Sequence, residues 1–301
     1  MSATASAIAA GIIAFSPQSG VNALSHARDF VYECPCRDGG TRSSERAAQW
    51  IYRRVSRTGC DAELDSFTAP VPGGTAKFTN VIVEFPSPDP TAPWILLTSH
   101  FDTKTGMPKG FQGANDGASS TALLIEMARE LRKAGRAPDC SLALLWVDGE
   151  ECRGPHYTEG DGFQGSIRVA SRFAEKGRKV AAVVNFDMVG DKNLNLSVPR
   201  NCTPVLRKHV ADAAADIGMP ELVTLSDEAI HDDHESFLRA GMPAVTVIDF
   251  EYGSSPGKND WWHTEHDTID KLSAESLEKT GKLAFAILRR FGYNPVRKTV
   301  K

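Results

Sequence analysis

The 301-residue chain is 41% hydrophobic and 24% charged, the balance expected of a soluble globular protein rather than a disordered or membrane one. Its formal net charge of −4 excludes the basic surplus that phosphate neutralisation needs, so no nucleic-acid partner is expected. Six cysteines (Cys34, Cys36, Cys60, Cys140, Cys152, Cys202) lie too far apart for a zinc-finger framework, and Cys34/Cys36 is C-x-C, which leaves free thiols and one or two disulfides both open.

The chain begins with an apolar run, residues 7–15, preceded by no Lys or Arg and too short to span a bilayer. A first helix packed on the domain is the expectation, with no membrane span; a periplasmic, secreted or cytoplasmic location stays open. No repeat, low-complexity tract or long linker divides the sequence, so residues 1–301 read as one domain, with 1–38 as its N-terminal helical segment.

Beyond that segment, helix and strand patterns alternate. Residues 80–85, 94–99, 141–147, 180–186 and 244–248 are short apolar, β-branched runs, several apolar on both faces, and read as sheet-centre strands. Helical spacing marks 44–59 (Ala47, Ile51, Val55), 119–134, 166–176, 205–217, 234–240 and 273–291. Strand followed repeatedly by helix predicts an α/β three-layer sandwich: a twisted, mostly parallel but mixed central sheet with helices on both faces. Ligands in such sheets bind beyond the carboxyl ends of the strands.

Polar residues gather at those ends. The strand at 94–99 runs into His100-Phe101-Asp102; the loop after it closes with Gly113-Ala114-Asn115-Asp116-Gly117 just before a helix. The strand at 141–147 ends in Asp148-Gly149-Glu150-Glu151, where adjacent acids repel unless a cation takes one of them, leaving Glu151 as ligand and Glu150 as acid or base. Asp187 closes the strand at 180–186, and Trp261-Trp262-His263-Thr264 adds a late imidazole. Any one of these is ordinarily a cap or a solvated turn; their convergence at successive strand ends points to a metal. Carboxylates and imidazoles without thiolate suit catalytic zinc. Cys152 has no evident helper base and reads as a small buried residue, and no G-x-S-x-G elbow or phosphate-binding glycine loop is present.

With Ser99-His100-Phe101-Asp102, Gly113-Ala114-Asn115-Asp116, Asp148-Gly149-Glu150-Glu151, Gly165-Ser166, Asp187, Asp232-Asp233-His234, and Trp262-His263-Thr264 with Asp267 in place, the chain resembles the M28 zinc aminopeptidases, and within them the glutaminyl-peptide cyclotransferases. The resemblance implies a zinc-exopeptidase-like fold and a peptide or protein N-terminus as substrate. It implies one zinc held by Asp116, Glu151 and His263; in the two-zinc aminopeptidases, His100 and Asp187 complete a second site with Asp116. Glu150, Asp187 and Asp232 are then the catalytic acids, and Trp262, Tyr157, Ile230 and Ile248 line the substrate. Two departures from the animal cyclases stand out: Tyr157 where a second tryptophan is expected, and Thr246 where they carry histidine. The expected activity is conversion of N-terminal glutamine to pyroglutamate with release of ammonia. The alternatives are hydrolysis of the first peptide bond and an inert peptide-binding domain on the same fold.

Overall fold

A computed structural model describes residues 15–294, apart from 135, 136, 138 and 159. The apolar run at 7–15 therefore lies outside the described residues except for Phe15, which is buried 6.2 Å from the Phe285 ring. The first helix of the described residues, α1 (Pro17–Glu33), starts at Ser16, whose side chain caps the Ser19 N–H while Ser19 returns the bond, with proline in the first turn. A second reciprocal cap, Thr41 with Ser44, starts α2 (Arg42–Ser56) and buries Ala47, Ile51 and Val55, the residues that marked its inner face. No helix among the described residues is long and apolar enough to cross a membrane.

The described residues build one eight-stranded sheet in the order β1-β2-β4-β3-β5-β8-β6-β7. Its centre is parallel: β3 (Trp94–His100) lies between β4 (Ser141–Val147) and β5 (Val180–Asp187), and β8 (Ala244–Ile248) follows β5. The expected strand at 80–85 is the second half of β2 (Gly74–Phe85), which runs antiparallel to β4 and forms a hairpin with β1 (Ala62–Val71). β1 carries too little apolar alternation to be read as a strand; its Glu63 and Asp65 are instead held by Arg172 and Arg168. β6 (Leu196–Val198) and β7 (Val223–Leu225) are too short to leave a pattern.

Side chains alternate across the pleat, and both faces are apolar. Ile95 and Leu97 of β3, with Val81 and Val83 of β2, enter one core with α1, α2, α3 (Ser120–Ala134), α5 (Pro204–Asp216) and α7 (Ala274–Arg290). Leu96, Ile82 and Leu145 face the opposite way, against Val169 and Phe173 of α4 (Gln164–Glu175) and Phe237 of α6 (His234–Arg239). Helices therefore cover both faces of a mixed sheet. All six cysteines are free thiols, and only Cys36 is exposed.

Candidate active site

Every parallel central strand delivers polar groups at its carboxyl end. β3 ends in His100, β4 in Asp148 to Glu151, and β5 in Asp187. The loop after β4 is shaped by Gly149, whose φ of +77° and closeness to the Phe78 ring leave no room for a side chain. Asp102 then fixes the acidic pair: its two carboxylate oxygens each accept one backbone N–H, from Glu150 and from Glu151, both at 3.1 Å. With their backbones pinned in this way, the two adjacent side chains diverge to different partners.

Glu151 meets His263, whose Nε2 is 2.9 Å from Oε1. The same nitrogen is 3.1 Å from Asp116 Oδ2, and on the other side His100 Nε2 is 3.1 Å from both Asp116 Oδ1 and Asp187 Oδ1. Asp116 thus bridges two clusters, Asp116–Glu151–His263 and His100–Asp116–Asp187, each offering ligand atoms within 4.8 Å of one another. His263 reaches its place from a left-handed backbone, φ +56°, a conformation that costs about 1–3 kcal/mol for most residues and collects at functional sites. Gly117 allows the close approach: a Cβ there would lie 2.7 Å from the His100 ring.

Asp116 is held by Asp267, which sequence reasoning placed in the motif without a role. Asp267 Oδ1 accepts from the N–H groups of Ala114 and Asn115 at 3.0 and 2.8 Å, and Oδ2 from that of Asp116 at 3.3 Å. Tyr252 donates to the same carboxylate at 2.8 Å. Arg37, fully buried, ties the neighbouring turns by donating to the carbonyls of Cys34, Phe101, Gln112 and Gly113. Nothing in the local sequence around Arg37 announces this, because three of its four partners are backbone atoms far away along the chain.

The donor set fits a divalent metal. Glu151 Oε2 is buried without a hydrogen bond, which is costly for a carboxylate unless a cation faces it, and the only partner of buried Asp116 Oδ2 among the described residues is the His263 imidazole. Burial works against ionisation of Asp116, but bonds from His100 and His263 hold its carboxyl well below the usual range. Burial lowers the His263 pKa, and Asp116 and Glu151 overcompensate, carrying it to about 10. Without an ion, the protonated imidazole is the positive charge that faces these two carboxylates.

Glu150 turns the other way. Tyr157 donates its hydroxyl to Glu150 Oε1 at 2.7 Å, and its ring stacks on Phe163 with 4.5 Å between centroids. Burial first, and the neighbouring Glu151 second, push the Glu150 carboxyl well above its ordinary range. Asp232 lies deeper, where Asn185 donates to both of its oxygens at 2.8 Å and Thr246 at 2.5 Å; Thr98 in turn donates to Asn185 at 2.5 Å. This ladder across β3, β5 and β8 accounts for Thr246, and Asn185 and Thr98 are functional candidates that a strand-like sequence context hid.

The substrate-side residues divide into two groups. Tyr157, Trp262 and His263 line a cavity of about 760 Å³, and the Trp262 ring stacks on His263 at 3.9 Å. Ile230 and Ile248 pack with Met188 and Tyr252 in an apolar cluster that also takes Phe250, and Phe250 meets Trp262 edge-on at 5.2 Å.

A mixed sheet with two imidazole–carboxylate clusters at its strand ends, sharing one carboxylate, defines the class by its fold, which is zinc-exopeptidase-like. The family model described as Peptidase family M28 matches residues 80–288, and the chain belongs to that family. Among solved structures it is similar to glutaminyl cyclase of an Acidobacteriales bacterium, at 32% identity over 93% of this chain and 96% of that one, with a TM-score of 0.84. A zinc-dependent exopeptidase of Parabacteroides distasonis shares the fold at 22% identity, 90% and 97% coverage and a TM-score of 0.75. Glutaminyl-peptide cyclotransferase of Bos taurus is 29% identical over 81% of this chain and 75% of its own.

Proposed function

We propose that this chain, a single domain, is a zinc-dependent glutaminyl-peptide cyclotransferase acting on the N-terminal glutamine of peptides or proteins. The observation that carries the reading is the likeness of nearly the whole chain to a bacterial glutaminyl cyclase. It is supported by the buried acids Glu150, Asp187 and Asp232, which stand beside the ligand cluster and exceed what one ion needs.

Asp116, Glu151 and His263 would hold one zinc, which when bound supplies Lewis-acid polarisation of the substrate amide carbonyl. Glu150 accepts a proton from the substrate α-amine; the α-nitrogen then bonds to the side-chain amide carbon. That carbon's bond to the amide nitrogen breaks, and Glu150 returns the proton to the departing ammonia. A carboxyl pushed upward by burial is suited to both halves of this transfer. Asp187 and Asp232 orient the amide, and Trp262 and Tyr157 wall the pocket. Because both reacting groups belong to one residue, folding the substrate into this pocket supplies much of the rate.

A second reading, a two-zinc aminopeptidase, is favoured by one observation: the His100–Asp116–Asp187 cluster is as compact as the first. There Glu150 would deprotonate the attacking water instead of the amine. Incubating zinc-loaded protein with a Gln-initiated peptide separates the two. Loss of ammonia alone is the expected result; a peptide shortened by one residue selects hydrolysis. No change in mass selects the inert binding domain. Zinc content per chain, one expected, completes the test.

A further inference from the structure

Lys104 follows the Asp102 motif by two residues but does not behave as a surface lysine. Only 6% of it is exposed. Its Nζ donates to the carbonyls of Cys152 and Gly154 at 2.5 and 2.9 Å and lies 2.7 Å from Cys152 Sγ. That last separation is shorter than the usual N–H···O distance of about 2.9–3.0 Å, although sulfur is the larger atom. An ammonium satisfied by two carbonyls explains the first two contacts; it does not require the thiol to be so near. The gap matches two single bonds through one bridging atom.

The pair is also placed to matter. Cys152 directly follows Glu151, and both Lys104 and Cys152 line the 760 Å³ cavity that holds Tyr157, Trp262 and His263, so a small oxidant reaches them. Asp102, two residues before Lys104, already grips the backbone of Glu150 and Glu151.

We propose that Lys104 and Cys152 form an oxidant-sensitive switch, in which peroxide joins Nζ to Sγ through a single oxygen. One equivalent of hydrogen peroxide gives its oxygen to the Cys152 thiol, yielding sulfenic acid and water. A second gives its oxygen to the Lys104 amine, yielding a hydroxylamine and water. The hydroxylamine oxygen then bonds to the sulfenic sulfur and displaces its hydroxyl as a third water. Sulfur and nitrogen are oxidised, both peroxides are reduced, and an Nζ–O–Sγ link remains. The linked nitrogen keeps one hydrogen, so it no longer donates to both carbonyls, and the loop carrying Glu150 and Glu151 shifts. Excess dithiothreitol reverses the change, restoring amine and thiol with one water while it is oxidised to its disulfide.

The test uses the zinc-loaded full chain with Cys36→Ser, which removes the exposed thiol. After peroxide treatment, intact mass should rise by one oxygen less two hydrogens. Trypsin should no longer cut after Lys104, and one peptide pair should carry both residues. Turnover should fall at least about tenfold in proportion to the linked fraction and recover with dithiothreitol; Lys104→Arg should give oxidised Cys152 without the link. Oxidised Cys152 without a link, a direct S–N bond lacking the oxygen, or unoxidised Cys152 overturns the chemistry, and a link that leaves turnover unchanged overturns the switch. The activity arm rests on the cyclase reading, whereas the mass arm stands whatever reaction the site performs.

Discussion

Glu150 and Glu151 are sequence neighbours with opposite surroundings, one against a tyrosine hydroxyl and the other against an imidazole. The consequence is separable by mutation. Glu150→Gln keeps the shape and the ligands, so zinc stays bound while kcat falls by about 10²–10⁴, the range of a lost general base; retained turnover in metal-replete protein would mean the base lies elsewhere. Tyr157→Phe removes one bond to a carboxylate, worth about 1.5–3 kcal/mol. If that bond orients Glu150 during proton transfer, kcat drops about tenfold or more with KM little changed. A rise in KM alone would instead make Tyr157 a simple pocket wall. Tyr157 was legible as a pocket residue, but its grip on Glu150 was not, since seven positions of irregular chain separate them.

At the scale of elements, the site is a set of strand ends tied by carboxylates that bind backbone rather than metal. Asp267 is the clearest case, because it satisfies three consecutive N–H groups of the turn that carries Asp116. Each buried donor left unpaired costs about 1–3 kcal/mol, so Asp267→Ala should destabilise the fold by about 3 kcal/mol or more. A urea unfolding midpoint shifted down at constant slope, with weakened zinc retention, is the expected outcome. The strands and helices of the sheet centre were readable because two-sided burial makes them continuous apolar runs. The β1–β2 hairpin was half missed, because the polar face of β1 is covered by arginines of α4 and not by apolar contacts.

For the whole molecule, the metal, the charges and the thiols should act together. In the ion-free protein His263 holds a proton up to about pH 10, and a metal needs that nitrogen neutral. Binding therefore releases a proton throughout the neutral range, and zinc affinity should fall by about tenfold per pH unit on acidification. Equilibrium dialysis with a zinc buffer at several pH values measures this slope. Removing the metal leaves Asp116 and Glu151 facing each other in the interior, so chelation should lower Tm, with recovery on adding zinc back. Thiol counting gives an independent check of the packing. Burial pushes Cys140 up to about 11 and Cys202 to about 12, so a bulky thiol reagent should label exposed Cys36 fast in the native protein and leave Cys140 and Cys202 unlabelled, with all six reacting once unfolded.

What the sequence determined by itself was the α/β alternation, the strand ends as the functional rim, and the ligand-type residues waiting there. Those follow from periodicity and residue chemistry, which are local. Tertiary structure alone decided which atoms meet: Asp116 between two imidazoles, Asp267 and Arg37 clasping distant backbone, Asp232 held across three strands, Lys104 against Cys152. Each of these joins residues far apart in the chain or in an irregular loop, where no repeating pattern links one partner to the other, so only the packed sheet and its helices bring them within bonding distance.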